Sequence, residues 1–175
     1  MGKPKNIKKQ DLISSARKQL LQKGQTQVTL KNVAQAAGVT QGVVYYHFKT
    51  KDQLLLSLLE DYLEKLKVEE KRTLKSWLAD EMYKAQISSG EMALLFELIS
   101  LSLHQKEMKN TLGQALRQKI RNTEEWAGAD PTSARLITAM LDGLAMQAIF
   151  DPTFDEREVY DAAKKKLLDL LGNDE

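Results

Sequence analysis

Thr40-Gln41-Gly42-Val43-Val44-Tyr45-Tyr46-His47-Phe48-Lys49-Thr50-Lys51 is the stretch on which the reading of this chain turns. Thr40 is a good helix N-cap, and Val39 before it stands where it can meet Val44 after it as a hydrophobic staple. Val44 and Phe48, four apart, point one way; Gln41 and Tyr45, also four apart, point another. Gly42 has no side chain, so a large partner can approach the backbone closely there. Thr50 followed by Gln53 fits a capping box, so a further helix starts at Lys51. A helix this short cannot stand alone. Other elements must hold its apolar face, and its polar, aromatic face is left for a partner.

Moving upstream, Ile13, Ala16 and Leu20, with Leu12 beside them, mark a helix from about Lys9, and Gly24 after Lys23 supplies a stop. Residues before Lys9 are lysine-rich, carry Pro4 and read as a loose arm. Thr29 caps a second helix, with Val28 and Val33 as its staple and Leu30, Val33, Ala34 and Ala37 as its inner face. Gly38 ends that helix, because the tight reversal needs a residue tolerant of positive φ. Only Gly38 and Val39 then separate it from the helix opened by Thr40, and small residues at Ala34, Ala36 and Ala37 let the two cross closely. Two short helices joined so tightly make a helix-turn-helix, whose second helix enters the major groove of DNA while the first braces it across the backbone.

Charge agrees with this placement. Residues 1–51 hold ten Lys or Arg against the single acid Asp11, a net +9, while the remaining 124 residues sum to −7. A basic first third on an acidic remainder is what a chain needs to grip a polyanion at one end. The 175 residues are 42% hydrophobic, enough for a packed core, and contain no cysteine, which excludes disulfides, thiolate metal sites and cysteine nucleophiles. His47 and His104 are the only histidines, so no metal site is expected, and no cofactor. The N-terminus lacks an apolar run and no stretch approaches the length of a membrane span, which points to a soluble cytoplasmic protein.

Val28-Thr29-Leu30 through Ala34, Ala37-Gly38-Val39-Thr40 and Tyr45-Tyr46-His47-Phe48 with Lys51 resemble the N-terminal signature of the TetR family of bacterial transcriptional regulators, over roughly residues 9–60. Leu141-Asp142-Gly143-Leu144-Ala145 followed by Asp151-Pro152 is similar to the dimerising region of many members. The resemblance implies an all-α fold: a three-helix DNA-binding domain over 1–50 and a helical ligand-binding and dimerisation domain over 51–175. It implies that Thr40, Gln41 and Gly42 open the recognition helix against phosphates or base edges, and that Tyr45 and Tyr46 offer hydroxyls to phosphates. His47 would cap the helix end near a phosphate, and Lys51 and Lys31 would reach further phosphates. Several members carry a polar residue where this chain has Val43, so base readout rests mainly on Gln41. Taken alone, Tyr45 or Tyr46 could equally be a core aromatic and His47 a plain surface histidine; Lys49 reads as solvated charge, and Val39, Val44 and Phe48 as core.

Downstream, Leu54, Leu55, Leu58, Leu59, Tyr62 and Leu66 form a wide apolar stripe on a long helix from Lys51. An amphipathic helix carrying Leu74, Trp77, Leu78 and Met82 is expected to end near Ser88-Ser89-Gly90, and a buried helix runs over Met92–Leu103. Leu112, Leu116 and Ile120 mark another, towards Trp126. Asp130-Pro131 opens a helix that stops at Asp151-Pro152, and Asp155 opens a last one. The helices of about 131–150 and 156–171 suit a two-fold four-helix interface between subunits, though their faces could also be buried within one subunit. A homodimer would match two half-sites of a (pseudo)palindromic operator in double-stranded DNA. The family's second domain usually encloses a small-molecule pocket; Trp77, Met82, Leu95, Phe96, Met108, Leu116 and Trp126 are candidates for its wall, against the alternative that each is plain core. Few charges lie inside these helices, so an apolar or amphipathic effector is expected, released operator and repression being the usual outcome; His104 and Glu97 are candidate polar anchors.

Two other readings remain open: a helical interaction module with an incidental helix-turn-helix, and an enzyme. The second lacks a cysteine, a glycine-rich phosphate loop, and a histidine with an evident carboxylate orienter. Adjacent pairs such as Asp80-Glu81 and Glu124-Glu125 diverge on a helix and read as solvated faces, so no catalytic residue is assigned.

Overall fold

The computed structural model describes residues 8–65 and 89–171, with the backbone alone for 89–92. The described elements are helical: α1 Lys9–Lys23, a 3₁₀ turn Gln25–Gln27, α2 Leu30–Ala37, α3 Gln41–His47, α4 Lys51–Lys65, α5 Ser89–Ser102, α6 Lys106–Ala127, α7 Pro131–Phe150 and α8 Glu156–Leu170. Among the described residues no helix is long and apolar enough to cross a membrane. The expected helix around Leu74, with Trp77 and Met82, lies outside the described residues. Ser89 and Gly90 are the first described residues of α5, and the end of the helix expected before them lies outside the described residues.

The described residues pack as two compact units, the first made of α1–α4 with residues 92–112, the second of residues 113–171. In the first unit α1 ends where Gly24 turns to φ 74°, its N–H donating to the Leu20 carbonyl at 2.9 Å. Leu12, Ala16 and Leu20 of α1 face Leu54, Leu55, Leu58 and Leu59 of α4 in one core, all of them at most 1% exposed. Each such leucine contributes about 1.5–3 kcal/mol on leaving water. At the far end of this packing Gln10 and Lys65 both donate to the Asp61 carboxylate, the latter at 2.7 Å. Burial alone would raise the Asp61 carboxyl; these hydrogen bonds, with the charges of Lys65 and Arg17, hold it below the ordinary carboxylate range.

Leu94, Leu98 and Leu101 of α5 and Met108 of α6 join the same core. Past residue 50, α4 thus buries its apolar stripe in a core that it shares with α1 and with residues 94–108.

The second unit is built on α7. Asp130 caps it through Oδ1, which accepts from Thr132 N–H at 2.9 Å and Ser133 N–H at 3.2 Å, with Pro131 in the first turn. The Ser133 hydroxyl and these amides hold the Asp130 carboxyl below its ordinary range. Ile137 and Leu141 of α7 bury against Leu167 of α8. Between α6 and α7 the buried hydroxyls of Thr123 and Thr138 lie 3.4 Å apart, each also bonded to the carbonyl four residues earlier, Lys119 and Ala134. No polar group of that pair is left without a partner, which is what burial requires. Gly128, at φ 63°, ends α6, and the Ala129 N–H closes on the Glu124 carbonyl at 3.2 Å.

Met108→Ala is expected to destabilise the chain by about 2–5 kcal/mol, the range for emptying a fully buried site. Urea unfolding followed by helical circular dichroism measures it; a loss under 1 kcal/mol (roughly the surface range) would place Met108 outside the core.

Candidate nucleic-acid interface

α2 and α3 are built by local chemistry that the sequence states almost in full. Thr29 Oγ1 accepts from the Asn32 N–H at 3.1 Å and starts α2. Gly38 takes the left-handed conformation, φ 68° and ψ 34°. Its N–H donates to Gln35 O at 3.2 Å, while Val39 N–H reaches Ala34 O at 3.0 Å, the double closure of a Schellman ending. The chain then reverses straight into α3. Val44 and Phe48 are at most 1% exposed and Val39 packs at the edge of the same core, as the staple pattern predicts.

Thr40 departs from expectation. It is the N-cap residue of α3, at φ −73° and ψ 152°, but its side chain makes no capping hydrogen bond. Its carbonyl accepts from Val43 N–H at 3.1 Å, as an N-cap carbonyl does, and its hydroxyl stays on the exposed surface. Gln41, Gly42, Tyr45 and Tyr46 are exposed as well, Tyr46 at 77% and Tyr45 at 46%, so neither tyrosine is a core residue. A Cβ built on Gly42 would meet nothing nearer than Thr40 Oγ1 at 3.8 Å. Glycine at this helical position therefore answers no packing need among the described residues. Val43 and His47 are half-buried, and the Tyr46 and His47 rings meet edge-on at 5.0 Å between centroids. Lys31 is exposed on α2.

The two lysines after α3 are engaged. Lys51 Nζ donates to the Gln25 carbonyl at 2.8 Å, tying the start of α4 to the 3₁₀ turn. Lys49 Nζ donates to the Tyr45 carbonyl at 3.1 Å, so it closes the last turn of α3 and is more than solvated charge. Its place four residues beyond Tyr45, at a helix C-terminus, is the sequence signal for that role. Thr50 Oγ1 accepts from Gln53 N–H at 3.1 Å as the capping box predicts, but Gln53 Oε1 accepts from Lys49 N–H at 2.8 Å, one residue earlier than the pattern implies. Lys9 Nζ stands 5.5 Å from the centroid of the Phe48 ring.

The exposed face of α3 thus offers two phenols, a free hydroxyl, an amide and a bare stretch of backbone, within the segment that carries the net +9. Hydroxyls and lysines suit phosphate oxygens, and the Gln41 amide can pair with a base edge. The remaining sequence-predicted residues lie elsewhere. Leu95 and Met108 pack with the core of the first unit, Phe96 is half-buried on α5, and Leu116 (45% exposed) and half-buried Trp126 belong to the second unit. Glu97 is half-buried and His104 exposed.

Residues 12–58, from Leu12 in α1 to Leu58 in α4, match the family model of the bacterial regulatory proteins of the tetR family. That segment, residues 12–58, is similar to the DNA-binding part of the TetR family. Among curated relatives, the probable acrEF/envCD operon repressor of Escherichia coli (strain K12) is 46% identical over 46 residues, 26% of this chain and 21% of that protein. That alignment thus spans about a fifth of the relative's length. The fatty acid metabolism regulator protein of Bacillus subtilis (strain 168) is 26% identical over 97% of this chain and 96% of its own. In solved structures the same fold appears in a TetR-family member from Streptomyces coelicolor A3 (TM-score 0.73, 24% identity, covering 89% of this chain and 95% of that one). It appears also in the multidrug binding protein EbrR complexed with ethidium (TM-score 0.72, 24% identity, 93% and 97%). The matched TetR segment coincides with the helices that build the α3 surface.

Thr29 and Thr40 look alike in sequence but differ in bonding. Thr29→Ala should cost about 1 kcal/mol, and Thr40→Ala no more than about 0.5 kcal/mol. Paired urea titrations of the two variants check this; equal losses would mean that the Thr40 hydroxyl caps after all.

Proposed function

We propose that this chain is a homodimeric, sequence-specific DNA-binding transcriptional regulator of the TetR family, a repressor released from its operator by a small apolar or amphipathic ligand. The observation that carries the DNA reading is the outer face of α3: exposed Thr40, Gln41, Tyr45 and Tyr46 around Gly42, whose Cβ position is open. In this reading Tyr45, Tyr46 and the Thr40 hydroxyl bond phosphates, Gln41 reads a base, and His47 lies by the backbone at the end of the helix. Lys31 supplies a phosphate contact from α2. Lys51 keeps two ammonium protons beyond the one given to Gln25, enough to serve a phosphate as well.

Dimerisation is supported by α7. Leu136, Met146 and Phe150 are 54%, 48% and 67% exposed, and with Ala139 and Gly143 they repeat at the spacing of one helix face. A Cβ on Gly143 meets nothing within 4 Å, so a second helix has room to approach. Two subunits would then present two α3 helices to two half-sites. For the effector, the support is the apolar make-up of α5 and the likeness to a multidrug binding protein that holds ethidium. Ligand binding would shift the population towards a dimer with its α3 helices wrongly spaced.

Fluorescence-anisotropy titration of a duplex from the gene's own upstream region, against a scrambled duplex at several salt concentrations, tests the proposal. Preference for the upstream duplex at two subunits per site is expected; equal binding that vanishes with modest salt would leave only a +9 polycation. Lys31→Ala should weaken all duplexes about equally and lower the salt slope by about 1.

Gly42→Ala separates fold from function. It should raise folding stability by about 0.5–1 kcal/mol, since alanine is the better helix former and has room. The same change should weaken the specific complex by about tenfold or more, a loss of about 1.4 kcal/mol of contact where the methyl group keeps DNA away. Unchanged affinity would remove α3 from the interface.

A further inference from the structure

Three consecutive side chains in the first turn of α4 tie down three different segments. Lys51 Nζ holds the Gln25 carbonyl in the turn between α1 and α2 at 2.8 Å. Gln53 Oε1 holds the Lys49 amide just beyond α3 at 2.8 Å. Between them, Asp52 Oδ1 accepts from Gln105 Nε2 at 3.2 Å, across 53 residues of sequence. The start of α4 is therefore a junction at which the exit of α3, the α1–α2 turn and the α5–α6 turn meet.

Gln105 is held where it must be to make that bond. Leu101 before it and Met108 after it are at most 1% exposed in the core that also contains Leu54 and Leu55 of α4. Its backbone carbonyl opens α6 by accepting from Lys109 N–H at 2.9 Å. At such a helix-opening position Ser, Thr, Asp or Asn would supply a local cap, and glutamine is not among the preferred residues. The Gln105 side chain does not cap its own helix here; it crosses to Asp52. Its neighbours in the turn, Leu103 (66% exposed) and His104, face solvent, so Gln105 is the turn residue that reaches α4.

We propose that Asp52 and Gln105 are a positioning pair: their hydrogen bond sets the first turn of α4, and through Gln53 and Lys51 the seating of α3, so that a turn touching no DNA tunes operator affinity. This rests on the DNA reading above. Neither residue contacts the operator in the proposal.

The test is a double-mutant cycle on the full chain with Asp52→Ala, Gln105→Ala and both together. It has two readouts: amide hydrogen exchange of the DNA-free protein, and anisotropy titration of the upstream duplex. Removing the Asp52 charge alters attraction to DNA by itself, and the cycle cancels that effect. Gln105→Ala is expected to weaken operator binding about threefold to tenfold, the worth of one such bond, and to do nothing further once Asp52 is alanine. It should also speed exchange at residues 49–54 without moving the thermal midpoint of the chain. Gln105→Glu, which sets two carboxylates together, should weaken binding more, and Asp52→Asn in the same chain should restore it; a merely structural role for Gln105 would show no such rescue. Additive effects, or exchange at 49–54 left unchanged by Gln105→Ala, would overturn the pair. If the wild-type chain does not prefer the upstream duplex, the DNA reading fails, and exchange alone still decides whether the pair seats the junction.

Discussion

Everything proposed for this chain depends on one constraint: α3, seven residues long, cannot hold its own shape. Its geometry is imposed from one side by Val44 and Phe48 sunk into a core, and from its ends by the backbone closure at Gly38 and by the Lys49 ammonium on the Tyr45 carbonyl. The other face is thereby released from any packing duty and can be polar, aromatic and bare. Firm anchoring on one side is what makes exposure of Tyr46 affordable on the other. A longer helix would need less support, but it would also spread its contacts over more of a groove.

The same logic explains why the helix-turn-helix was legible. Its punctuation is local: Thr29 with Asn32, Gly38 with Ala34, and Val44 with Phe48 all act within a few residues. Asp130-Pro131 and Asp155 were readable for the same reason. What misled lay where a local pattern had competing outcomes. Thr40 carries the right residue type for a cap, yet its hydroxyl makes no capping bond, and composition does not tell it from Thr29, whose hydroxyl does.

Tertiary placement was the harder part. Met108 and Leu95 carry the residue types of a pocket wall and of a core alike, and nothing in their spacing says that both pack with the first unit. The Gln105–Asp52 bond spans 53 residues and leaves no trace in periodicity. Lys51 was expected to face a phosphate; that its ammonium also serves Gln25 is visible only once the 3₁₀ turn is placed. The exposed face of α3 was legible as a surface, whereas the partners of its flanking residues were not.

The discontinuity of the first unit has a consequence for biosynthesis. Its core takes α1–α4 from one part of the chain and Leu94, Leu98, Leu101 and Met108 from another. A ribosome adding about 5–20 residues per second finishes α4 several seconds before Met108 emerges. During that interval the leucines of α4 have lost water to α1 on one side and wait uncovered on the other. A nascent chain in this state exposes apolar surface, which is the kind of species that holding chaperones bind. The helices that build the α3 surface therefore come first in sequence, and yet the core behind them is completed only when the middle of the chain has been made.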